Sequence, residues 1–293
     1  MIVPNQSNIK IHFAATENVN QFNALYGLGS KYSLYTVYPF LERILFKKAK
    51  HPLIPCQFKG NEFEIPQFII KNSKHTIQDS GLFTLMFGSQ KGNKDKKFLD
   101  SYCDALIDFT NEFGKGSTMV EMDTQKVLGV ESAWEYREKI SKKCNNRMIN
   151  VFHIEDGQKG LDRLIEYSNY IAISVPELRF SGKKNYCISL ANYIKNKKPS
   201  IDIHLLGCTE MKIVQHLKFC SSSDSSSYTS GVRYGFIEGK KISTIKKDLA
   251  QQLVLPGTYE LMTKYISKSI ADALILNIKS EMLKYEKHAG SQD

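Results

Sequence analysis

Acidic residues stand where strand-like runs end. Asp79 closes the extended run His75-Thr76-Ile77-Gln78 and opens the motif Asp79-Ser80-Gly81, with an apolar, helix-like stretch from Leu82 to Phe87 behind it. A carboxylate at a strand end, beside a glycine that admits a ligand to the backbone, is how an α/β enzyme presents an acid in a cleft. The placement recurs at Glu121-Met122-Asp123-Thr124, His153-Ile154-Glu155-Asp156-Gly157, Ser174-Val175-Pro176-Glu177 and Ser222-Ser223-Asp224-Ser225. Several carboxylates in one cleft suit two chemistries. One is the binding of a hard metal; the other is glycosyl transfer, with one carboxylate as nucleophile and another as acid and base. Asp79, Asp123 and Asp224 have Ser, Gln, Thr or Met beside them rather than His, which disfavours a transition-metal site.

Positioning these residues on one rim requires many short strands. Strand-like runs cover residues 9–15, 76–79, 118–123, 148–154, 170–175, 201–207, 219–222 and 234–238, and they are largely apolar, as buried parallel strands are. Amphipathic stretches lie between them, at 100–113, 131–143, 161–168, 186–195 and 210–217. The stretch 131–143 begins with Glu131 and ends in Lys142 and Lys143, which complements the helix dipole. Eight strands alternating with helices predict an α/β fold, a (β/α)8 TIM barrel with extra helices, spanning residues 1–293 as a single domain. Helices over about 242–287, interrupted near Pro256-Gly257, are expected to pack on it. A doubly wound open sheet is the rival. Gly27-Leu28-Gly29 continues as Ser30-Lys31-Tyr32, so it lacks the dinucleotide-binding pattern, and no P-loop is present. Aromatics crowd residues 13–74, including Phe22, Tyr26, Tyr35, Tyr38 and Phe40; they read as core, or alternatively as a face on which bases stack.

Bulk properties narrow the partners. The chain carries a net charge of +10, with lysines clustered at 47–50, 91–97, 142–143, 195–198 and 240–247. Such a surface attracts phosphate backbones without reading sequence, or is simply a solvated lysine-rich exterior. The six cysteines form no Cys-x-x-Cys pair, and His204/Cys208 and His216/Cys220 are weak metal signals; reduced, buried thiols are the expectation. No apolar run is long enough to span a membrane, and the first residues lack the order of a signal peptide, so a cytoplasmic location is expected.

Taken together, the motifs resemble the tRNA-guanine transglycosylases. Asp79-Ser80-Gly81-Leu82-Phe83 resembles their Asp-Ser-Gly-x-Phe motif, and Val120-Glu121-Met122-Asp123 their base-recognition strand. Residues 171–177, Ile-Ala-Ile-Ser-Val-Pro-Glu, stand where the family has Gly-Gly-Leu-Ala-Val-Gly-Glu. Leu205-Leu206-Gly207 is similar to their Leu-Met-Gly strand, and Asp224-Ser225-Ser226-Ser227-Tyr228 to the nucleophile segment of the archaeal members. The likeness runs over roughly residues 70–240. Departures are equally definite. The family's zinc motif, Cys-x-Cys-x-x-Cys with a later His, has no counterpart, because no cysteine follows Cys220. The Gly-Gly turn is replaced by Ile171-Ala172, and the fourth-strand Gln-Gly by Asp156-Gly157. A zinc-less, lysine-rich chain is more similar to the phage-type DNA 7-deazaguanine transglycosylases, which exchange guanine in DNA for a 7-deazaguanine such as preQ0 and so evade restriction.

By that resemblance Asp224 is the nucleophile and Asp79 the general acid and base, flanked by Ser80 and Gly81. Asp123 reads the Watson–Crick edge of the base; Asp156 and His153 reach the base or sugar; Ser174 and Glu177 face the base substituent, with Glu177 alternatively paired to Arg179. Thr229 and Arg233 hold phosphate. Each has a plainer reading as a cap, turn or surface residue. The resemblance implies no zinc subdomain, no metal and no cofactor, DNA as substrate with tRNA as the alternative, and host cytoplasm as the location of a phage-encoded enzyme. A homodimer is left open, since the family's dimer contacts involve the missing zinc region. A non-catalytic nucleic-acid-binding barrel and a metal-dependent barrel hydrolase are the rivals from other classes.

Overall fold

The computed structural model describes residues 9–46, 54–87, 95–182, 185–208, 210–234, 236–237, 240–241, 249–290 and 292. Eight parallel strands close into a barrel in chain order. They are β1 (Lys10–Phe13), β2 (Tyr32–Thr36), β3 (His75–Asp79), β4 (Thr118–Val120), β5 (Met148–Phe152), β6 (Tyr170–Ser174), β7 (Asp202–Leu206) and β8 (Ser222–Ser225). Closure comes from β1 against β8, with Lys10 opposite Ser222 and Phe13 opposite Ser225. Helices follow each strand, so the chain is a (β/α)8 TIM barrel, as its alternation of elements predicts.

Three apolar groups hold it together. Leu34, Ile77, Val120, Ile149, Val151, Tyr170 and Ala172 come from successive strands and fill the inside of the barrel. A second group, including Tyr35, Phe40, Leu106, Phe109 and Ile140, seals β2–β4 against the helices Tyr38–Phe46, Lys96–Phe113 and Val130–Lys143. A third joins β1 and β5–β7 to the surrounding helices, among them the long helix Lys268–Ala289. The helices start where local chemistry allows. Asp95 caps Lys96–Phe113 by accepting the Phe98 N–H at 2.7 Å, and Ser267 caps Lys268–Ala289 through Ile270 N.

Two expected strands are corrected and one unexpected strand is added. β2 lies in the aromatic segment that the sequence suggests is helix packing; Tyr32, Ser33, Leu34 and Tyr35 are all buried, Tyr35 outward against the Gln78 side chain and Leu34 inward. Residues 234–238 supply no barrel strand: Tyr234 ends the helix Tyr228–Tyr234, and Phe236–Ile237 (β9) pairs antiparallel with Lys240–Lys241 (β10). Glu238 lies outside the described residues. The expected strand 219–222 is shifted forward to β8, so Asp224 sits within a strand rather than in a serine-rich loop after one. The C-terminal helical stretch is broken a second time: Thr258–Thr263 and Lys268–Ala289 are separate helices, after a short one at Leu249–Leu253. The aromatics of residues 13–74 are largely core, with Phe22 against Phe68 and Phe40 against Phe109. No helix among the described residues is long and apolar enough to cross a membrane.

Candidate active site

Side chains on a strand alternate between faces, so Asp79 shares the inward face of Ile77 two residues before it. It ends β3 at the C-terminal mouth, where barrel enzymes keep their chemistry. Its Oδ1 accepts the Gly81 N–H at 2.5 Å, a tight Asx turn. Burial pushes the Asp79 carboxyl up to about 7; the Gly81 N–H opposes this, and the charges of Asp123 and Asp224 add to it. The closed barrel puts the ends of β3, β4 and β8 on one rim, where these three carboxylates form one acidic site. Gly81 has φ +74°, and a Cβ there would lie 2.6 Å from Tyr38 Cβ and 2.9 Å from Tyr38 N. The space beside it is therefore filled by the protein itself, not left for a ligand. Ser80 is buried too, its carbonyl accepting the Tyr102 hydroxyl at 2.7 Å. Ser80 and Gly81 shape the turn that holds Asp79.

Asp224, 9% exposed, stands on β8 with its Oδ1 bound twice: by the Gly207 N–H at 2.7 Å and by His204 Nε2 at 3.2 Å. Gly207 follows β7 at φ +57°, where a Cβ would meet Pro176 Cγ at 2.7 Å. The serines around Asp224 are satisfied individually. Ser223 Oγ bonds the carbonyls of Leu205 and Cys208, each at 3.0 Å, and Ser225 Oγ accepts the Tyr285 hydroxyl at 2.8 Å.

Asp123 follows β4, and its Oδ2 meets His153 Nε2 at 2.9 Å. The other ring nitrogen, Nδ1, meets Glu177 Oε2 at 2.8 Å, and Lys126 Nζ lies 3.0 Å from Glu177 Oε1. Burial alone would lower the His153 pKa, but hydrogen bonds and charge from Asp123 and Glu177 overcome it and raise it to about 10. His153 is thus an imidazolium at neutral pH. Burial would raise Glu177, yet His153 and Lys126 hold it down to about 2. Glu177 pairs with these two cations rather than with Arg179. Asp156 caps the short turn Ile154–Asp156, its Oδ2 accepting the His153 N–H at 2.8 Å, with Gln125 Nε2 at 3.4 Å. Burial raises its pKa. Ser174 ends β6, half-buried, directly before the helix Val175–Phe180 that carries Glu177.

One expected residue stands apart from these contacts. Thr229 donates to the Ser226 carbonyl at 2.8 Å, a local bond within its own helical turn. Arg233 lies in the same helix, Tyr228–Tyr234, but its side chain is outside what the structure describes. Glu121, at an expected strand end, turns away from the mouth. It is fully buried, forked onto Arg137 by two bonds of 2.6 Å, and accepts the Val151 N–H at 2.8 Å.

Other residues at the mouth were not singled out by the motifs. Glu17, half-buried, accepts the Thr36 N–H through Oε2 at 3.1 Å; burial raises it to about 7, with Asp79 contributing. It follows β1 as Asp79 ends β3, so a complete reading of strand ends would have found it. Lys126 has no sequence signal beyond its neighbours, and Gly207 has only its place in the Leu205-Leu206-Gly207 motif, which does not show its bond to Asp224. In the sequence His204 stands with Cys208 as a weak metal signal, yet in the fold both its nitrogens are taken, by Ser222 and Asp224. All six cysteines are buried free thiols. Among the described residues, His153, Glu155 and Glu177 offer donor atoms within 4.8 Å of one another. Since both nitrogens of His153 already face carboxylates, the group is built as an ion-pair cluster.

Fold and geometry define the class: a (β/α)8 barrel with a carboxylate-lined mouth and one imidazolium clamped inside it. No family model matches the sequence, and no curated protein matches it. Among solved structures, the crystal structure of a protein assigned as a fructose-1,6-biphosphate aldolase from Coccidioides immitis is similar at 10% identity and a TM-score of 0.35, over 96% of this chain and 92% of that one. So weak a likeness carries no argument about chemistry; the barrel is read from its own strand pairing.

Proposed function

We propose that this protein is a base-exchange transglycosylase that replaces guanine in DNA with a 7-deazaguanine such as preQ0. The observation that carries the reading is the convergence of Asp79, Asp123 and Asp224, with Asp79 pushed up to about 7 by burial and by its two neighbours. Two carboxylates with different proton affinities are what such chemistry needs. One must be ionised to attack, and one must hold a proton for the leaving base.

In the reaction an Asp224 oxygen attacks the anomeric carbon, and the bond to guanine breaks as Asp79 delivers its proton to the departing base. The covalent sugar–Asp224 ester then meets the incoming 7-deazaguanine. Asp79, now a carboxylate, takes that base's proton as the new glycosidic bond forms and the ester breaks, with net retention. Asp123 accepts hydrogen bonds from the N–H edge of either base. Its partner His153 occupies Oδ2, which leaves Oδ1 for the base. The nucleotide has to leave the stack to reach this site, and the lysine-rich exterior is suited to holding the backbone meanwhile.

The test is incorporation of radiolabelled guanine and preQ0 into duplex DNA, single-stranded DNA and tRNA. Label is expected in DNA and none with Asp224→Ala. Label in tRNA alone would move the substrate to tRNA, and no label in any acceptor would reject base exchange.

A further inference from the structure

Below the mouth, Asp224 is the upper end of a chain of polar contacts buried in the barrel. His204, fully buried on β7, reaches Asp224 Oδ1 with Nε2 at 3.2 Å and Ser222 Oγ with Nδ1 at 2.6 Å. Ser222 Oγ is in turn bonded to the Tyr170 hydroxyl. The Tyr170 ring is covered by the Arg147 guanidinium at 4.5 Å, and Arg147 is paired with Asp202. The His12 ring packs edge-on to His204, with centroids 6.4 Å apart. Barrel interiors are usually filled by branched aliphatic side chains. Three hydrogen-bonded polar groups in series beneath a carboxylate therefore call for a reason beyond packing.

Partner chemistry orients the chain. An ionised carboxylate only accepts, so Nε2 must carry the proton that faces Asp224. A hydroxyl has one proton to give. If Ser222 spends its proton on His204 Nδ1, the Tyr170 hydroxyl supplies the bond to Ser222. Every contact is then satisfied with one proton each, and His204 is fixed as the Nε2–H tautomer by the hydrogen bond at its other nitrogen.

We propose that His204 is a positioning residue for Asp224. Its Nε2–H and the Gly207 N–H converge on Oδ1, tie up that oxygen and fix the carboxylate plane. Oδ2, with no hydrogen-bond partner among the described residues, is the oxygen left to react. Ser222 and Tyr170 act one step further back, by holding the tautomer. The assignment rests on Asp224 being the nucleophile of the base-exchange reading; the geometry of the chain itself does not.

The experiment separates the two nitrogens. In His204→Gln the amide nitrogen reaches about as far as Nε2, whereas in His204→Asn it reaches only as far as Nδ1; His204→Phe fills the space with no donor. Loss of one buried bond to a charged group is expected to lower exchange kcat roughly 10- to 100-fold in the Phe and Asn variants, with KM for DNA little changed. His204→Gln should recover most of the rate. Equal rates for Gln and Phe would overturn the proposal. Nitrogen-15 NMR of the histidine-labelled wild-type protein supplies a readout independent of activity. A protonated Nε2 and bare Nδ1 at His204, shifting on Asp224→Asn, are expected; a bare Nε2 would overturn the proposal. If the NMR result holds but the wild-type protein exchanges no base, the base-exchange reading fails while His204 remains the group that orients Asp224.

Discussion

Asp79 serves two demands that pull in opposite directions. As the proposed general acid it must hold a proton near neutrality, and burial beside Asp123 and Asp224 pushes it up to about 7. The same burial costs stability once the proton leaves. Its ordinary value is 3.8, so between there and about 7 the folded chain keeps a proton that the unfolded chain has released. Its contribution to stability is therefore full below about pH 4 and is lost as pH rises through 7. Asp79→Asn keeps the Oδ1 acceptor for Gly81 but removes the charge. This variant is expected to gain about 1–4 kcal/mol of stability at pH 8 and nothing at pH 3, read by chemical denaturation at both pH values. Its exchange rate should fall by about 10²–10⁴-fold. In the wild-type protein, release of guanine should decline as pH rises through about 7, visible in single-turnover rates. Greater stability with lower activity from one substitution is the mark of a strained functional group.

Around these residues, elements are held by backbone geometry that sequence patterns convey only in part. Gly207 joins β7 to the region of Pro176 and gives Asp224 its shorter hydrogen bond. Gly207→Ala meets both a left-handed φ and a Pro176 contact of 2.7 Å. It is expected to cost about 1–3 kcal/mol in thermal or chemical unfolding and to slow exchange by displacing the N–H from Asp224. Neighbouring elements explain what could be read beforehand. β6 and β7 are apolar and short, so their periodicity exposes them. The helix Val130–Lys143 carries its acidic start and basic end in plain view. β8 has no apolar residue; its pairing is supported by bonds from Tyr285, Leu205 and Cys208, all distant in sequence or on another strand. A run of serines read alone therefore resembles a loop. β2 is hidden differently: Tyr-Ser-Leu-Tyr-Thr lies among other aromatics, and its pairing with β1 and β3 is what distinguishes strand from helix packing. At the site, Asp79, Asp123 and Asp224 were legible because motifs marked them. The His153–Glu177–Lys126 cluster and the role of His204 were not, since each depends on contacts between strands.

Across the whole molecule, charge is divided between surface and mouth. The chain carries a net charge of +10, yet Glu17, Asp79, Asp123, Asp156, Glu177 and Asp224 gather at one end of the barrel. The lysine clusters at 47–50, 91–94 and 246–247 lie outside the described residues, and those at 142–143 and 195–198 end helices that lead into β5 and β7. A nucleic acid bound by so basic a chain would be held through phosphate, with counterions released. Binding of the Asp224→Ala variant to a DNA oligonucleotide, measured by fluorescence anisotropy, should weaken by at least about tenfold between about 50 and about 200 mM salt. Affinity indifferent to salt would remove the lysines from the binding account.

The helix Lys268–Ala289 also has a consequence in time. Its Tyr285 holds Ser225, its Glu281 accepts the Ser227 hydroxyl at 2.9 Å, and Tyr285 packs on Phe13 of β1 where the barrel closes. A ribosome completes β8 well before it makes this helix. The nascent chain therefore carries Asp224 and the closing strand before the helix whose side chains bond Ser225 and Ser227 has been made, so these contacts are the last to form at the barrel's seam.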